Sequence, residues 1–179
     1  MAASGTITLG EGTRIDDGDL GAGTAIASGS ISVSSSSSDG GQVAILGDRV
    51  AVLDGTVSAT GTAGGTVWIG GEGAGGTALP VAQQTVVNRF SKLDASALGT
   101  GDGGEVLIWS ESATLFDGVI AATGGAFGGD GGFVEISGRD RLQVAGSVDV
   151  GASFGTPGSV LVDPENILIV AGTPNDTTQ

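Results

Sequence analysis

The sequence contains no cysteine, no histidine and no tyrosine. Without thiols there is no disulfide and no thiolate nucleophile. Without imidazole there is no histidine base, and zinc sites built from Cys and His are excluded. Only six residues are basic against twenty acidic ones, a formal net charge of −14. Binding a phosphate backbone needs clustered Lys and Arg, so no nucleic-acid partner is expected, and an anionic membrane surface is disfavoured on the same ground. No run approaches the ~18 consecutive apolar residues of a membrane-crossing helix, so no membrane insertion is expected. The N-terminal stretch MAASGTITLGEG has neither the basic nor the apolar region of a signal peptide. Any export signal is expected outside this chain, with Met1 read as the start of an excised piece.

Aromatic residues are only 4% of the chain, whereas glycine is 36 of 179 residues and the hydrophobic fraction is 39%. Glycine without a Gly-X-Y period excludes collagen, and this much Val, Ile, Leu and Ala excludes a disordered linker. The core must be thin and built from small and branched aliphatics, which suits stacked sheets. Helix signals are nearly absent, because glycine interrupts almost every window.

A repeat organises the chain. Five short runs align: Val43-Ala-Ile45, Val67-Trp-Ile69, Val106-Leu-Ile108, Val134-Glu-Ile136 and Val160-Leu-Val162. Their first valines are spaced at similar intervals, except for one long gap between Val67 and Val106. Four of the runs follow Gly-Gly and the fifth follows Pro-Gly. A second column reads Gly-x-[Ile/Val]-x-[Ala/Val/Leu], at Gly5, Gly29, Gly55, Gly118 and Gly146. The interval from Val43 to Gly55 is the same as from Val106 to Gly118 and from Val134 to Gly146.

Alternation of this kind gives strands with one buried face, and the glycines mark corners that need φ > 0 or a tight turn. Short strands in a unit of this length, with no helices between them, predict an all-β fold. It is a right-handed parallel β-helix of six to seven turns, one segment over 1–179. Val43, Val67, Val106, Val134 and Val160 then form one ladder, and Ile45, Ile69, Ile108, Ile136 and Val162 another. The outward positions Ala44, Trp68, Leu107, Glu135 and Leu161 are partly apolar, which predicts an exposed or covered patch. The long gap holds an insertion at 70–96, with a short helix or protruding loop expected around Leu79–Phe90 and the second column resuming at Ser91. Residues 171–179 read as a frayed tail.

Chemical motifs are weak against this background. GxGxxG occurs at Gly71-Gly73-Gly76 and Gly99-Gly101-Gly104, but a nucleotide site needs a strand before it and a helix after it. The Asp-Gly corners leave calcium open as a ligand, although their spacing lacks the nonapeptide register of calcium-binding β-rolls. Arg49, Arg139 and Arg141 stand near Asp48 and Asp140, a pattern that polysaccharide-cleaving β-helices use. With no histidine base and no GxSxG, no enzymatic activity is expected. Trp68 and Trp109, with Arg89 inside the insertion, are the candidate ligand-binding residues. They form either a sugar-stacking platform or a packing surface beneath the insertion.

The run GDGGEVLIWSESATLFDGVIAATGGAFGGDGGFVEISG, the following GSVLVDPENILIV and the earlier GGTVWIGGEGAGGTALPVAQQTVV resemble large exoproteins of the filamentous haemagglutinin type. The resemblance covers roughly residues 40–170. It implies a secreted, extracellular or cell-surface bacterial protein, typically exported by the two-partner pathway, in which a very long β-helix serves as adhesin shaft or binding surface. It supplies no catalytic residues. The NPNG-type motifs of that family's secretion domain are absent, so the chain reads as an internal or distal segment. The implied partners are neighbouring β-helix segments, a host or cell-surface glycan or protein, and further copies associating end to end. A carbohydrate-binding module and a polysaccharide-cleaving enzyme are the alternatives.

Overall fold

The computed structural model describes the backbone of residues 6–9 and residues 23–73 and 79–164. Every regular element among them is a strand. The first are β1 (Thr6–Leu9) and β2 (Thr24–Ser32). Next come β3 (Gln42–Ile45) and β4 (Arg49–Ser58), then β5 (Thr66–Ile69), β6 (Gln84–Val87) and β7 (Lys92–Asp94). β8 (Glu105–Ile108), β9 (Ala113–Phe116) and β10 (Val119–Ala121) follow. β11 (Phe133–Gly138), β12 (Arg141–Val144) and β13 (Ser147–Asp149) make another turn, and β14 (Ser159–Pro164) comes last. All pairings between these strands are parallel, and each links residues one winding apart.

The coil has three walls. Wall one is the sheet β1-β3-β5-β8-β11-β14. The second sheet supplies the other two. Arg49–Val52 of β4 pairs with β6, which pairs with β9 and then β12, forming wall two. Thr56–Ser58 of the same strand pairs with β7, then β10 and β13, forming wall three. At the corner between these walls Asp54 has φ 54° and Gly29, one turn below, has φ 79°. Asn88 holds this corner from the turn above: its Nδ2 donates to Asp54 Oδ1 at 2.8 Å, and Asp54 N donates to Asn88 Oδ1 at 3.1 Å.

The ladders lie inside the tube. Val43 pairs with Val67, Val67 with Val106, Val106 with Val134 and Val134 with Val160. Ile45, Ile69, Ile108, Ile136 and Val162 follow the same register. From Val43 to Ile136 every member of both ladders is 0% exposed. Walls two and three add Val50, Val52, Val57, Val87, Leu93, Phe116 and Ile120 to one continuous core. Each such side chain contributes about 1.5–3 kcal/mol of burial. Buried polar side chains are satisfied within the coil. Ser110 Oγ and Thr114 Oγ1 are 2.7 Å apart, and Thr114 Oγ1 donates to Ser137 O at 2.7 Å.

The double glycines close each turn by close approach. Gly41, Gly65, Gly104, Gly132 and Gly158 stack where wall three returns to wall one. A Cβ on Gly104 would lie 2.0 Å from Gly65 O, and one on Gly132 would lie 2.0 Å from Gly104 O. Neither residue has positive φ, so the tight stacking of backbones, rather than left-handed geometry, requires glycine here. Across the same corner Gly65 N donates to Ala59 O, Gly104 N to Ala95 O, Gly132 N to Ala122 O and Gly158 N to Val150 O, all at 2.7–2.8 Å.

Four sequence expectations change. The described coil makes about five turns rather than six or seven, because the long gap from Val67 to Val106 is a single turn and residues 6–9 do not start a separate column. Ile7 and Leu9 pair with Val43 and Ile45, so the Gly5 motif lies on wall one, not in the second column. The Leu79–Phe90 stretch holds no helix: Gln84–Val87 is β6, and its inward Thr85 and Val87 serve wall two. Two strands of the coil thus fall within 70–96, and the looped-out part is shorter. It doubles the interval between the first Val and the corner position, which runs from Val67 to Ser91 here and from Val43 to Gly55 in the turn below. The loop is tied at its base, with Ala82 N donating to Gly70 O at 2.7 Å. The tail at 171–179 lies outside the described residues.

Candidate functional site

The outer side of wall one is covered. Ala44, Leu107 and Glu135 point away from the core, yet they are only 3%, 5% and 7% exposed. The chain leaving β5 lies over Leu107 and Glu135. A Cβ on Gly73 would come 2.9 Å from Glu135 Oε2 and 3.4 Å from Leu107 Cδ1, and one on Gly71 would come 3.2 Å from Trp109 Cδ1. Ser137 Oγ donates to Glu135 Oε1 at 2.8 Å beneath this cover. Leu107 and Glu135, outward residues of two successive turns, therefore lie beneath a segment that folds back on them.

Trp68 and Trp109 both border this covered region and both are half-buried. Trp68 Nε1 donates to Glu105 Oε1 at 3.0 Å, and Trp109 O accepts from Thr85 Oγ1 at 2.8 Å. Arg89 stands elsewhere, in the turn between β6 and β7 where wall two meets wall three. Its guanidinium carbon lies 4.7 Å from the centre of the Phe90 ring. The structure thus brings the two tryptophans to one loop-covered side and leaves Arg89 at another corner.

The column of corner glycines holds the junction of walls two and three. Gly55, Gly118 and Gly146 sit in register with Ser91, since Thr56 pairs with Lys92 and Val119 also pairs with Lys92. Ser91 fills the glycine position with a hydroxyl that donates to Val52 O at 3.0 Å. The column therefore accepts a small side chain if that side chain bonds the turn below.

The other junction, between walls three and one, carries two surface grooves. Here the chain leaves the coil in a short loop at each turn and returns through Gly-Gly or, before β14, Pro-Gly. A groove of about 540 Å³ runs along it, lined by Gly65, Gly104, Gly132, Gly158, Glu105 and Phe133 among others. A second groove of about 440 Å³ lies on the wall-three side of the same loops, lined by Ala97, Thr123, Ala126, Asp149, Ala152 and Ser153 among others.

The corner aspartates face the turn above. Asp39 Oδ1 accepts from Thr62 Oγ1 at 2.6 Å and from Ala63 N at 3.1 Å. Asp102 Oδ1 accepts from Asp130 N at 2.7 Å, and Asp130 Oδ1 accepts from Thr156 N at 2.7 Å. The Thr62 hydroxyl and the Ala63 amide hold the Asp39 carboxyl below its ordinary value. Asp94, half-buried, is pushed up by burial, but hydrogen bonds from Lys92 and Ser96 outweigh this and hold it low. No group of three or more acidic side chains that could hold a metal ion occurs among the described residues. The signal for this staple was present in the sequence, since Asp102 and Asp130 are separated by the same interval as Val106 and Val134.

No protein-family model matches the sequence. None of the curated proteins matches it either. Among solved structures the fold is similar to the crystal structure of the HMW1 secretion domain from Haemophilus influenzae. The TM-score is 0.71 and the sequence identity 28%, over 89% of this chain. The chain spans 39% of the length of that secretion domain.

Proposed function

We propose that this chain is a rigid β-solenoid portion of a secreted bacterial exoprotein of the two-partner type, serving export and acting as stiff scaffold for an extracellular adhesin. The observation that carries the reading is the likeness to the HMW1 secretion domain over nearly the whole chain. That neighbour is a secretion domain rather than an enzyme. The coil's chemistry supports the same reading. A cysteine-free chain needs no thiol oxidation outside the cell. A tube whose turns are joined by parallel ladders is quasi-one-dimensional, so it is stiff along its axis and extends by adding turns. Its working partners are then an outer-membrane transporter during export and adjoining β-helix turns of the exoprotein afterwards, with a cell-surface glycan or protein as adhesive target.

The test is export. The gene encoding this chain is expressed with and without its candidate transporter gene, and surface protein is followed by protease accessibility on intact cells. The expected outcome is exposed protein only when the transporter is present. Equal exposure in both strains, or protein confined to the cytoplasm in both, overturns the reading.

A further inference from the structure

Three large apolar side chains on the loops between walls three and one face solvent. Leu98 is 51% exposed, Phe127 78% and Phe154 73%. They occur in the loops that precede β8, β11 and β14, on three successive turns. These loops are held by backbone hydrogen bonds rather than hanging free. Leu98 N donates to Gly61 O and Phe127 N donates to Gly99 O, each at 2.8 Å. Gly125 and Gly128 form an antiparallel bridge that fixes Ala126-Phe127 as the tip of a tight turn. The loop carrying Phe154 is fastened by Thr156 N to Asp130 Oδ1. The three side chains thus project from held loops on successive turns as a row of apolar groups, and the residues just before them, Ala97, Ala126 and Ser153, line the groove of about 440 Å³.

An apolar ridge exposed on a fixed backbone costs solvation and loses little entropy on binding, which is the character of an interface anchor. Its electrostatic surroundings select the partner. The loops 95–104, 122–132 and 150–158 contain no Lys or Arg, and they carry Asp102 and Asp130, with Asp149 at the edge of the second groove. The whole chain has a formal charge of −14, so a second copy meets like charge, as does an anionic membrane.

We infer that Leu98, Phe127 and Phe154 form a docking ridge for a protein whose apolar cleft is rimmed by Lys and Arg. The two phenylalanines seat in the cleft, and Asp102, Asp130 and Asp149 face its basic rim. This does not rest on the export reading: a chain that is exported normally but lacks this contact removes the ridge alone.

The test places p-benzoylphenylalanine at position 127 or 154 of the full-length protein in producing cells, with positions 26 and 90 as exposed controls at 62% and 68%. The expected result is a discrete photo-crosslinked protein from 127 and 154 and none from the controls. That protein, identified and purified, binds the Phe127→Ser/Phe154→Ser double variant at least ~30-fold more weakly than the wild type. Its affinity falls roughly tenfold or more between low and high salt. Because both side chains are exposed, the double variant keeps its thermal midpoint; if it does not, the two single variants supply the comparison. Absence of a product overturns the inference, as do equal products at the controls, a crosslink to a second copy or a lipid, or binding indifferent to salt or to the substitutions.

Discussion

β11 and β14 carry nearly the same words. Val134-Glu-Ile136 and Val160-Leu-Val162 pair residue for residue, yet Val134 and Ile136 are 0% exposed while Val160 and Val162 are 43% and 44% exposed. The outward residues differ in the same way, Glu135 at 7% and Leu161 at 41%. The distinction is positional. β11 has β8 on one side and β14 on the other; among the described strands, β14 has only β11. Alternation in a solenoid therefore specifies which side chains point inward. Burial of those side chains is conferred by the turn stacked on top. The unit of stability is the interface between turns, and the predictions below probe that interface from its tightest point outward.

The largest effect is expected at the glycine corner. Gly104→Ala puts a methyl 2.0 Å from the carbonyl of Gly65, a clash with backbone that no rotamer can relieve. Neighbouring turns must separate there, and a loss above ~3 kcal/mol follows, read as a fall in the denaturant midpoint or as failure to fold. Gly99→Ala is the matched control in the preceding loop, where a Cβ meets nothing within 4 Å. It is expected to be neutral or stabilising by up to ~1 kcal/mol, because it lowers the entropy of the unfolded chain. Equal losses for the two variants would show that glycine is needed for flexibility rather than for stacking.

A smaller contrast separates the two strands of the opening comparison. Ile136→Ala removes buried methylenes between two turns and is expected to cost about 2–5 kcal/mol. Val162→Ala removes a smaller group that is already 44% exposed, and is expected to cost under ~1 kcal/mol. Paired urea melts of the two variants measure the difference. Near-equal costs would place a covering turn on β14 in solution and would make its exposure a property of the isolated chain.

The ladders and the parallel pairing were legible because a repeat writes the same inward residues at a fixed interval, and backbone pairing carries that interval into register. The missing glycine at Ser91 was also legible from its flanking Leu93 and Ala95: Leu93 falls in register with Ile120, and Ala95 N donates to Ala121 O. Gly5-Ile7-Leu9 was not. Its local pattern fits either wall, and only its pairing with β3 decides which. The same ambiguity hid β6, since Gln84-Thr85-Val86-Val87 puts a threonine where the other walls carry an aliphatic. Thr85 is buried because its hydroxyl finds Trp109 O. The side-chain sites were least legible. Trp68 and Trp109 attract attention as aromatic residues, but their surroundings come from a loop whose path depends on no periodicity. Phe127 and Phe154 sit in glycine-rich loops of unequal length, so no column aligned them before the backbone did.

The smallest expected effect concerns the corner aspartates, and its sign follows from their partners. Asp39 and Asp94 have folded-state pKa values held below the ordinary carboxylate value of about 3.9. In the unfolded chain they titrate near that value. Between the two values the unfolded state binds protons that the folded state does not, so acid favours unfolding there. Their contribution is fully present above the unfolded value and is lost as pH falls through the folded ones. Thermal midpoints are thus expected to be insensitive to these groups at neutral pH and to decline below pH ~4. Asp39→Asn keeps an oxygen that can accept from the Thr62 hydroxyl and the Ala63 amide but cannot titrate. Its midpoint at neutral pH is expected to fall slightly, because a neutral acceptor is weaker than a carboxylate. Its decline in acid is expected to be shallower than that of the wild type. Superimposable acid profiles for the two proteins would remove Asp39 from the link between neighbouring turns and leave that corner to the glycines and the backbone alone.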